Sequence, residues 1–301
     1  MLKQPIILGT RGSELALWQA HHIQNELNQL GWAVDIKIIK TKGDKIQDLS
    51  FDKIEGKGFF TKELQDALLS NEIDMAVHSH KDLETTQPEG LLIAAVTKRE
   101  EANEVLIIKD RSFQKDAVLH LPPDAIVGTS SIRRKMILGH TRPDIAFVDL
   151  RGNVPTRIQK LRDNKWDAIV LAKAGINRIA PSLEGLHAVT LDPLQWIPAP
   201  AQGALAIECR SADVQLQNVL KSLHHLETAT AVHIERSILK GIGGGCQVPL
   251  SSFAFNQNGL WHVHTAFTNS LRDPMQQLAM QHAQPDFLVH STLAALDIQK
   301  G

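Results

Sequence analysis

Between Gly128 and Arg178 the sequence sets seven arginines: Arg133, Arg134, Arg142, Arg151, Arg157, Arg162 and Arg178. Lys135, Lys160, Lys165 and Lys173 stand among them, and only Asp144, Asp149, Asp163 and Asp167 oppose them. The stretch is +7 inside a 301-residue chain of formal net charge −1. Guanidinium presents a planar fork that meets carboxylate and phosphate oxygens two at a time. A charge run is ordinarily a solvated face with scattered pairs. Here several arginines flank glycine-containing turns beside apolar strands, and that placement points to a site for a polyanion. Arg151 and Arg157 stand at the two ends of a strand-to-helix turn, Leu150-Arg-Gly-Asn-Val-Pro-Thr-Arg157, from which both can converge on one ligand.

Three further phrases could do chemistry. Gly241-Ile-Gly-Gly-Gly-Cys246-Gln-Val-Pro249 places a thiol in a glycine-rich loop, open to a bulky group. A lone cysteine is otherwise an inert small hydrophobe, so both readings stand for Cys246, and the inert one is preferred for Cys209 after an apolar strand. Asp74-Met-Ala-Val-His-Ser-His-Lys-Asp82 is a strand running into a polar cluster, which would put Lys81 and Asp82 at the carboxyl end of a strand. A carboxylate there can hold a developing cation or move a proton, whereas a plain surface loop would do neither. His78 and His80 share a strand face, but no third ligand stands at sensible spacing, so no metal is expected. Glu55-Gly-Lys57-Gly-Phe-Phe-Thr-Lys62 is a basic glycine turn before a helix, either a lid over an anion or an exposed connection.

The elements that must position these residues read as an α/β chain. Pro5–Leu8 is a strand, Gly9–Ser13 a turn, and Leu15, Trp18, Ile23, Leu27 and Leu30 a helical stripe ending at Gly31, with Ser13 as N-cap. Val34–Ile39 is a second strand, Thr61–Leu69 a helix and Ile73–Val77 a strand. Ala125–Gly128 followed by Thr129-Ser-Ser131 and a helix over Ile132–Leu138 repeats the opening phrase. The likeness of Leu8-Gly-Thr-x-x-Ser13 to Val127-Gly-Thr-x-Ser131 suggests two α/β domains that each aim a helix N-terminus at an anion. Strand, helix and strand follow over Ile145–Leu150, Val154–Leu161 and Ala168–Leu171. Pro193, Pro198 and Pro200 mark a linker, and Ala204–Cys209 is a strand. Helices over Val214–Leu223 and Thr228–Leu239, an alternating stretch Leu260–Phe267 and a helix near Phe287–Leu296 close the chain in a small α+β domain.

A hydrophobic content of 43% with 22% charged residues is ordinary for a globular protein, and the length suggests two or three domains. Two cysteines make no disulfide framework or metal spacing. The first residues hold too short an apolar run for a signal peptide, and no stretch suits a membrane span, so a cytoplasmic location is expected. Near-zero net charge argues against broad nucleic-acid binding.

Taken together the phrases resemble the porphobilinogen deaminase (hydroxymethylbilane synthase) family. The resemblance runs nearly the whole chain: Thr10-Arg11-x-Ser13-x-Leu-Ala-Leu-Trp18, Gly56-Lys-Gly-x-Phe60-x-Lys62, Ala76-Val-His-Ser-x-Lys81-Asp82, Gly128-Thr-Ser-Ser-x-Arg133-Arg134, Leu150-Arg-Gly-Asn153-x-x-Thr156-Arg157, Ala174-Gly-x-x-Arg178, Gln202-Gly-Ala and Gly244-Gly-Cys246-x-x-Pro249. It implies an enzyme that condenses four porphobilinogen molecules, releasing ammonia each time, to linear hydroxymethylbilane. The implied cofactor is a dipyrromethane held by a thioether to Cys246, and the implied catalytic carboxylate is Asp82. Arg11, Ser13, Lys57, Ser131, Arg133, Arg134, Arg151, Arg157 and Arg178 would bind the ring acetates and propionates. Asp44, Ser79, Lys81, Thr129, Ser130, Gly152 and Gln202 complete the implied site, which holds no metal. The implied fold is two periplasmic-binding-protein-like α/β domains around a cleft and a smaller α+β domain. Their expected bounds are 1–99 with 200–217, 104–196 and 222–301, in a monomer acting on a small molecule without nucleic acid or membrane.

The chain departs from the family pattern at His80 (usually methionine), at Leu83-Glu84 (usually valine-proline), and at Ala201 and Ser251 (usually glycine). Glu101-Ala-Asn-Glu104 replaces the usual Asp-Pro-Arg-Asp. A two-domain anion receptor or sensor is the competing class, but it needs neither Cys246 in its glycine loop nor Asp82.

Overall fold

The computed structural model describes residues 5–41, 61–244 and 248–298. The first elements are β1 (Ile6–Thr10), α1 (Glu14–Gln29), β2 (Val34–Ile38), α2 (Lys62–Leu69), β3 (Met75–Ser79) and β4 (Leu91–Val96). Next come β5 (Glu104–Lys109), β6 (Ile126–Gly128), α3 (Ile132–Thr141), β7 (Ala146–Val148), α4 (Val154–Asp163), β8 (Ala168–Ala172), α5 (Lys173–Ile179) and β9 (Leu186–Thr190). β10 (Leu205–Arg210), α6 (Val214–Leu220), α7 (Leu226–Gly241), β11 (Leu250–Gln257), β12 (Leu260–Phe267), β13 (Gln276–His282) and α8 (Pro285–Ala295) complete the chain. Two compact units form, Met1–Arg99 with Ala204–Ala229 and Glu100–Gly203 with Thr230–Gly301. Among the described residues no helix is long and apolar enough to cross a membrane.

Each unit contains a five-stranded sheet of one plan. The first has the order β2-β1-β3-β10-β4 and the second β7-β6-β8-β5-β9. In each, three strands run parallel and the fourth is antiparallel to both its neighbours. Central strands are buried on both faces, which is why they read as apolar runs. In the first unit Leu8, Met75 and Val77 face Ala20, Ile23 and Leu27 of α1, while Ala76 faces Leu64, Ala67 and Leu68 of α2. Burial of one such leucine or isoleucine contributes about 1.5–3 kcal/mol. The helical stripe expected on α1 is partly turned: Leu30 is exposed at the C-cap, and Gln19 is buried for a polar reason given below.

The same clasp closes each sheet. Asp74 and Asp167 each stand just ahead of a central strand, and each accepts the N–H of a residue at the start of the neighbouring strand, Ile7 at 2.9 Å and Ile126 at 2.8 Å. Each aspartate returns its own N–H to that residue's carbonyl. The residue before the aspartate explains the paired glycines. A Cβ on Gly9 would lie 2.2 Å from Ile73, and one on Gly128 would lie 3.2 Å from Trp166 and 3.0 Å from Ile169.

The second unit also holds the antiparallel sheet β11-β12-β13. Ala254, Val263 and Phe267 on one face pack against Ile234, Ile238 and Leu288 of α7 and α8. Glu235 of α7 is fully buried there. Its two oxygens accept the N–H groups of Ala201, at 2.6 Å, and Ala254, at 2.8 Å.

Ala201, at one of the departures from the family pattern, has φ 63°. A side chain in that left-handed region costs roughly 1–2 kcal/mol, and the methyl group it buries returns about 0.8 kcal/mol. Ala201→Gly is therefore expected to stabilise the protein by less than about 1 kcal/mol. Urea unfolding measures it, and a lower midpoint would show that the buried methyl outweighs the strain.

Candidate functional site

In the first unit β1 and β3 are parallel neighbours, with Leu8 opposite Met75, so their carboxyl ends finish side by side. Arg11, Ser13, Gln19, Thr61, His78, Ser79 and Asp82 line an open depression there. Ser13 caps α1 by accepting the Ala16 N–H, as the sequence predicts, and Glu14 follows in the first turn. Gln19 is buried because its Nε2 donates to the Ser79 hydroxyl at 2.8 Å. β3 ends at Ser79, and His80–Asp82 form a 3-10 turn, with the His80 N–H donating to the Ala204 carbonyl. His78 and His80 therefore do not share a strand face, a correction of the sequence expectation. His78 instead bonds Glu208, with 3.1 Å between Nε2 and Oε2. His80 is buried, Lys81 is half-buried, and Asp82 is exposed at the depression.

The second unit repeats the arrangement. Thr129, Ser130 and Ser131 follow β6, and Ser131 caps α3 by accepting the Arg134 N–H. The Ser130 hydroxyl accepts the Leu150 N–H at 2.9 Å and donates to the Leu150 carbonyl at 3.2 Å, tying this turn to the loop that carries Arg151. In that loop Gly152 has φ +110°, and a Cβ there would lie 2.7 Å from Thr156. Asn153 caps α4, and Arg157 Nε donates to the Gly152 carbonyl at 2.7 Å. Arg151 and Arg157 are both half-buried.

Arg133 and Arg134, assigned to ligand carboxylates from the sequence, are buried and closed on a protein carboxylate. Arg133 Nη2 donates to Glu104 Oε1 at 2.6 Å, and Arg134 Nη2 to Oε2 at 2.7 Å. Arg134 also donates to the Val170 carbonyl at 2.8 Å. Burial lowers the Arg133 pKa, and the Glu104 charge opposes that shift. Two guanidinium groups on one carboxylate leave a single positive charge in excess, at the first turn of α3. Arg178 is buried too. Its Nη2 donates to the Gly203 carbonyl at 2.7 Å, and burial lowers its pKa to about 10, against the opposing charge of Glu100. Gln202 is fully buried and donates to the Ala102 carbonyl at 2.7 Å.

Two arginines of the basic stretch are structural. Arg142 binds Asp144 and the carbonyls of Val118, Leu121 and Pro122, and its hydrogen bond holds the Asp144 carboxyl well below the usual range. Arg162 binds the carbonyls of Glu184 and Ser182. Cys246, Asp44 and Lys57 lie outside the described residues. Cys209 is fully buried, and desolvation pushes its thiol up to about 11. Sequence reasoning missed Gln19, Gln65, Glu104 and Glu208. A carboxylate inside an apolar strand was the available signal for Glu104 and Glu208, since such a group needs a buried partner.

Comparison with known proteins bears on what this arrangement serves. The sequence model described as "Porphobilinogen deaminase, dipyromethane cofactor binding domain" matches residues 6–218. A porphobilinogen deaminase of a Nitratiruptor species is 49% identical over 81% of this chain and 77% of its own length. One of Chloroherpeton thalassium is 44% identical over 88% and 83%. One of Geobacillus kaustophilus is 40% identical over 98% and 94%.

Glu104→Gln removes the only charge that the ion triad sets against two buried guanidinium groups, and should cost about 3–5 kcal/mol of stability in urea unfolding. A loss under about 1 kcal/mol would mean that the arginines find other anions. A thiol reacts as thiolate, and a pKa raised to about 11 keeps Cys209 protonated at pH 9, where an unperturbed cysteine is largely ionised. Cys209 should therefore resist iodoacetamide in the native protein from pH 7 to 9 and label only after unfolding. Peptide mass mapping reads the result.

Proposed function

The chain belongs to the porphobilinogen deaminase family, and from that premise we propose how its residues carry the reaction. The enzyme is a transferase of tetrapyrrole biosynthesis that joins porphobilinogen molecules head to tail, releases ammonia and yields linear hydroxymethylbilane with a dipyrromethane cofactor. Each ring of that cofactor bears an acetate and a propionate, so the residues holding it must serve a polyanion. The described residues fit that demand. Serines cap the N-termini of α1 and α3, where N–H groups and the helix dipole favour anions. The Glu104 triad adds one positive charge beside Ser131.

When bound, the cofactor supplies the pyrrole carbon on which the chain grows. Cys246 is the proposed attachment point, because it is the thiol in a glycine-rich loop and Cys209 is sealed and protonated. Arg11, Ser13, Lys57, Ser131, Arg151, Arg157 and Arg178 are the proposed carboxylate-binding residues, and Arg133 and Arg134 join them through the one positive charge that their pairing with Glu104 leaves in excess. Asp44, Ser79, Lys81, Thr129, Ser130, Gly152 and Gln202 complete the shell. A charge-assisted hydrogen bond contributes roughly 1.5–3 kcal/mol, so several together hold a chain while single ones are exchanged.

The observation that carries the reading is the exposed Asp82 carboxylate at the end of β3, in one depression with Arg11 and Ser13. Loss of ammonia from porphobilinogen leaves a cationic carbon, and a carboxylate held there stabilises charge that the neutral pyrrole lacks. The same carboxylate can take the proton that the attacking ring releases. An anion receptor has no use for it. The proposal also takes the enzyme as a cytoplasmic monomer with domains over 1–99 with 200–217, 104–196 and 222–301.

Asp82→Asn keeps the shape and loses the charge, and should lower kcat by a factor on the order of 10²–10⁴ with cofactor attached and fold intact. Asp82→Glu should keep part of the activity. Steady-state kinetics on enzyme of checked mass decides, and wild-type turnover in Asp82→Asn would overturn the assignment. Intact-mass and peptide mapping should place the dipyrromethane on the Cys246 peptide. Cys246→Ser should yield an inactive apo-protein, and an adduct on Cys209 would refute the attachment.

A further inference from the structure

Behind the depression the first unit seals a histidine and a glutamate against each other. His78 is 5% exposed and Glu208 0%. They lie on the antiparallel neighbours β3 and β10, where Ala206 stands opposite His78 and Glu208 opposite Ala76. The two long side chains are thus diagonal neighbours on one sheet face, each across from an alanine that leaves it room. Besides the His78 ring, Glu208 accepts Gln65 Nε2 of α2 on Oε1 at 3.0 Å. Apolar residues of similar volume would fill this space without the cost of desolvating a carboxylate.

The pair lies just ahead of the turn that carries Asp82. Side chains alternate along β3, so its last two residues are gripped from opposite faces of the sheet. Ser79 accepts Gln19 of α1 on one face. On the other, His78 is held by Glu208, which Gln65 of α2 braces. The chain then passes directly into the His80–Asp82 turn. His78 also lines the same depression as Asp82.

We propose that His78 and Glu208 are positioning residues for the Asp82 carboxylate, a role that rests on the function assigned to Asp82 above. Glu208 fixes the ring, and the fixed ring sets the end of β3 from which the Asp82 turn departs. Misplacement of a reacting group by about 1 Å costs on the order of a hundredfold in rate, so a loosened strand end should be felt in kcat before it is felt in binding.

The test uses cofactor-loaded enzyme, with loading read by intact mass and kcat expressed per loaded, folded molecule. Glu208→Gln and His78→Leu should lower kcat by roughly tenfold to a hundredfold and leave KM for porphobilinogen within about twofold. His78→Gln places an amide donor where the ring nitrogen reached Glu208, and should recover a substantial part of the loss. If Glu208→Gln and His78→Leu fold, load and turn over like wild type, the inference is overturned. It is overturned equally if their loss is wholly a smaller loaded fraction, or if His78→Gln is as slow as His78→Leu. Asp82→Asn run alongside separates the two readings. Full turnover there removes the role of Asp82 and this inference with it. Loss there with wild-type kcat in Glu208→Gln removes this inference alone.

Discussion

The position of the site depends first on the clasp between a carboxylate and the neighbouring strand. Asp74 and Asp167 each accept the N–H of a residue at the start of the adjacent strand and give their own N–H to its carbonyl. Because side chains alternate with a period of two, a slip of one residue would exchange the two faces of a strand. The clasp pins that register, and the glycines at Gly9 and Gly128 let the residues flanking it close over the strand. With register fixed, the carboxyl ends of the parallel strands finish together, and the serine-capped helices start there. Arg11, Ser13 and Asp82 gather at one such end, and Thr129, Ser130 and Ser131 at the other.

A second theme is the sealed carboxylate with more than one donor. Glu104 takes two guanidinium groups, Glu208 a histidine ring and an amide, and Glu235 two backbone N–H groups. Breaking such a pair costs more than the pair contributes, because the survivor is left charged and dry. Each therefore enforces one arrangement of the elements it joins: β5 with α3, β10 with β3 and α2, and α7 with β11. Geometry is what these residues secure.

The chemistry was legible in the sequence where it rests on residue type and short spacing. The arginine cluster, the Ser13 cap, the repeat at Gly128 and the polar phrase ending in Asp82 all involve residues within a short span of each other. Long-range partners decided the remainder. β5 follows Glu100–Asn103 with no turn signal, α5 and β9 are short, and β11 and β13 interleave polar residues with apolar ones less regularly than β12. Pairing partners distant in sequence define β4 and β9, whereas β11 and β13 flank β12 as neighbours in the chain.

The sequence by itself therefore determined the class of the fold and the family, and it supplied the residues proposed for the reaction, because helix caps, glycine turns and apolar runs are local and survive in a string of letters. Only the tertiary structure decided which arginines are committed. Arg133 and Arg134 close on Glu104, Arg142 and Arg162 on surface partners, and Arg151 and Arg157 flank the glycine loop. It decided as well that His78 faces Glu208 across the sheet and that His80 leaves the strand. The partner of a charge is set by pairings that bring together residues as far apart as 78 and 208, and composition and spacing contain no measure of that proximity.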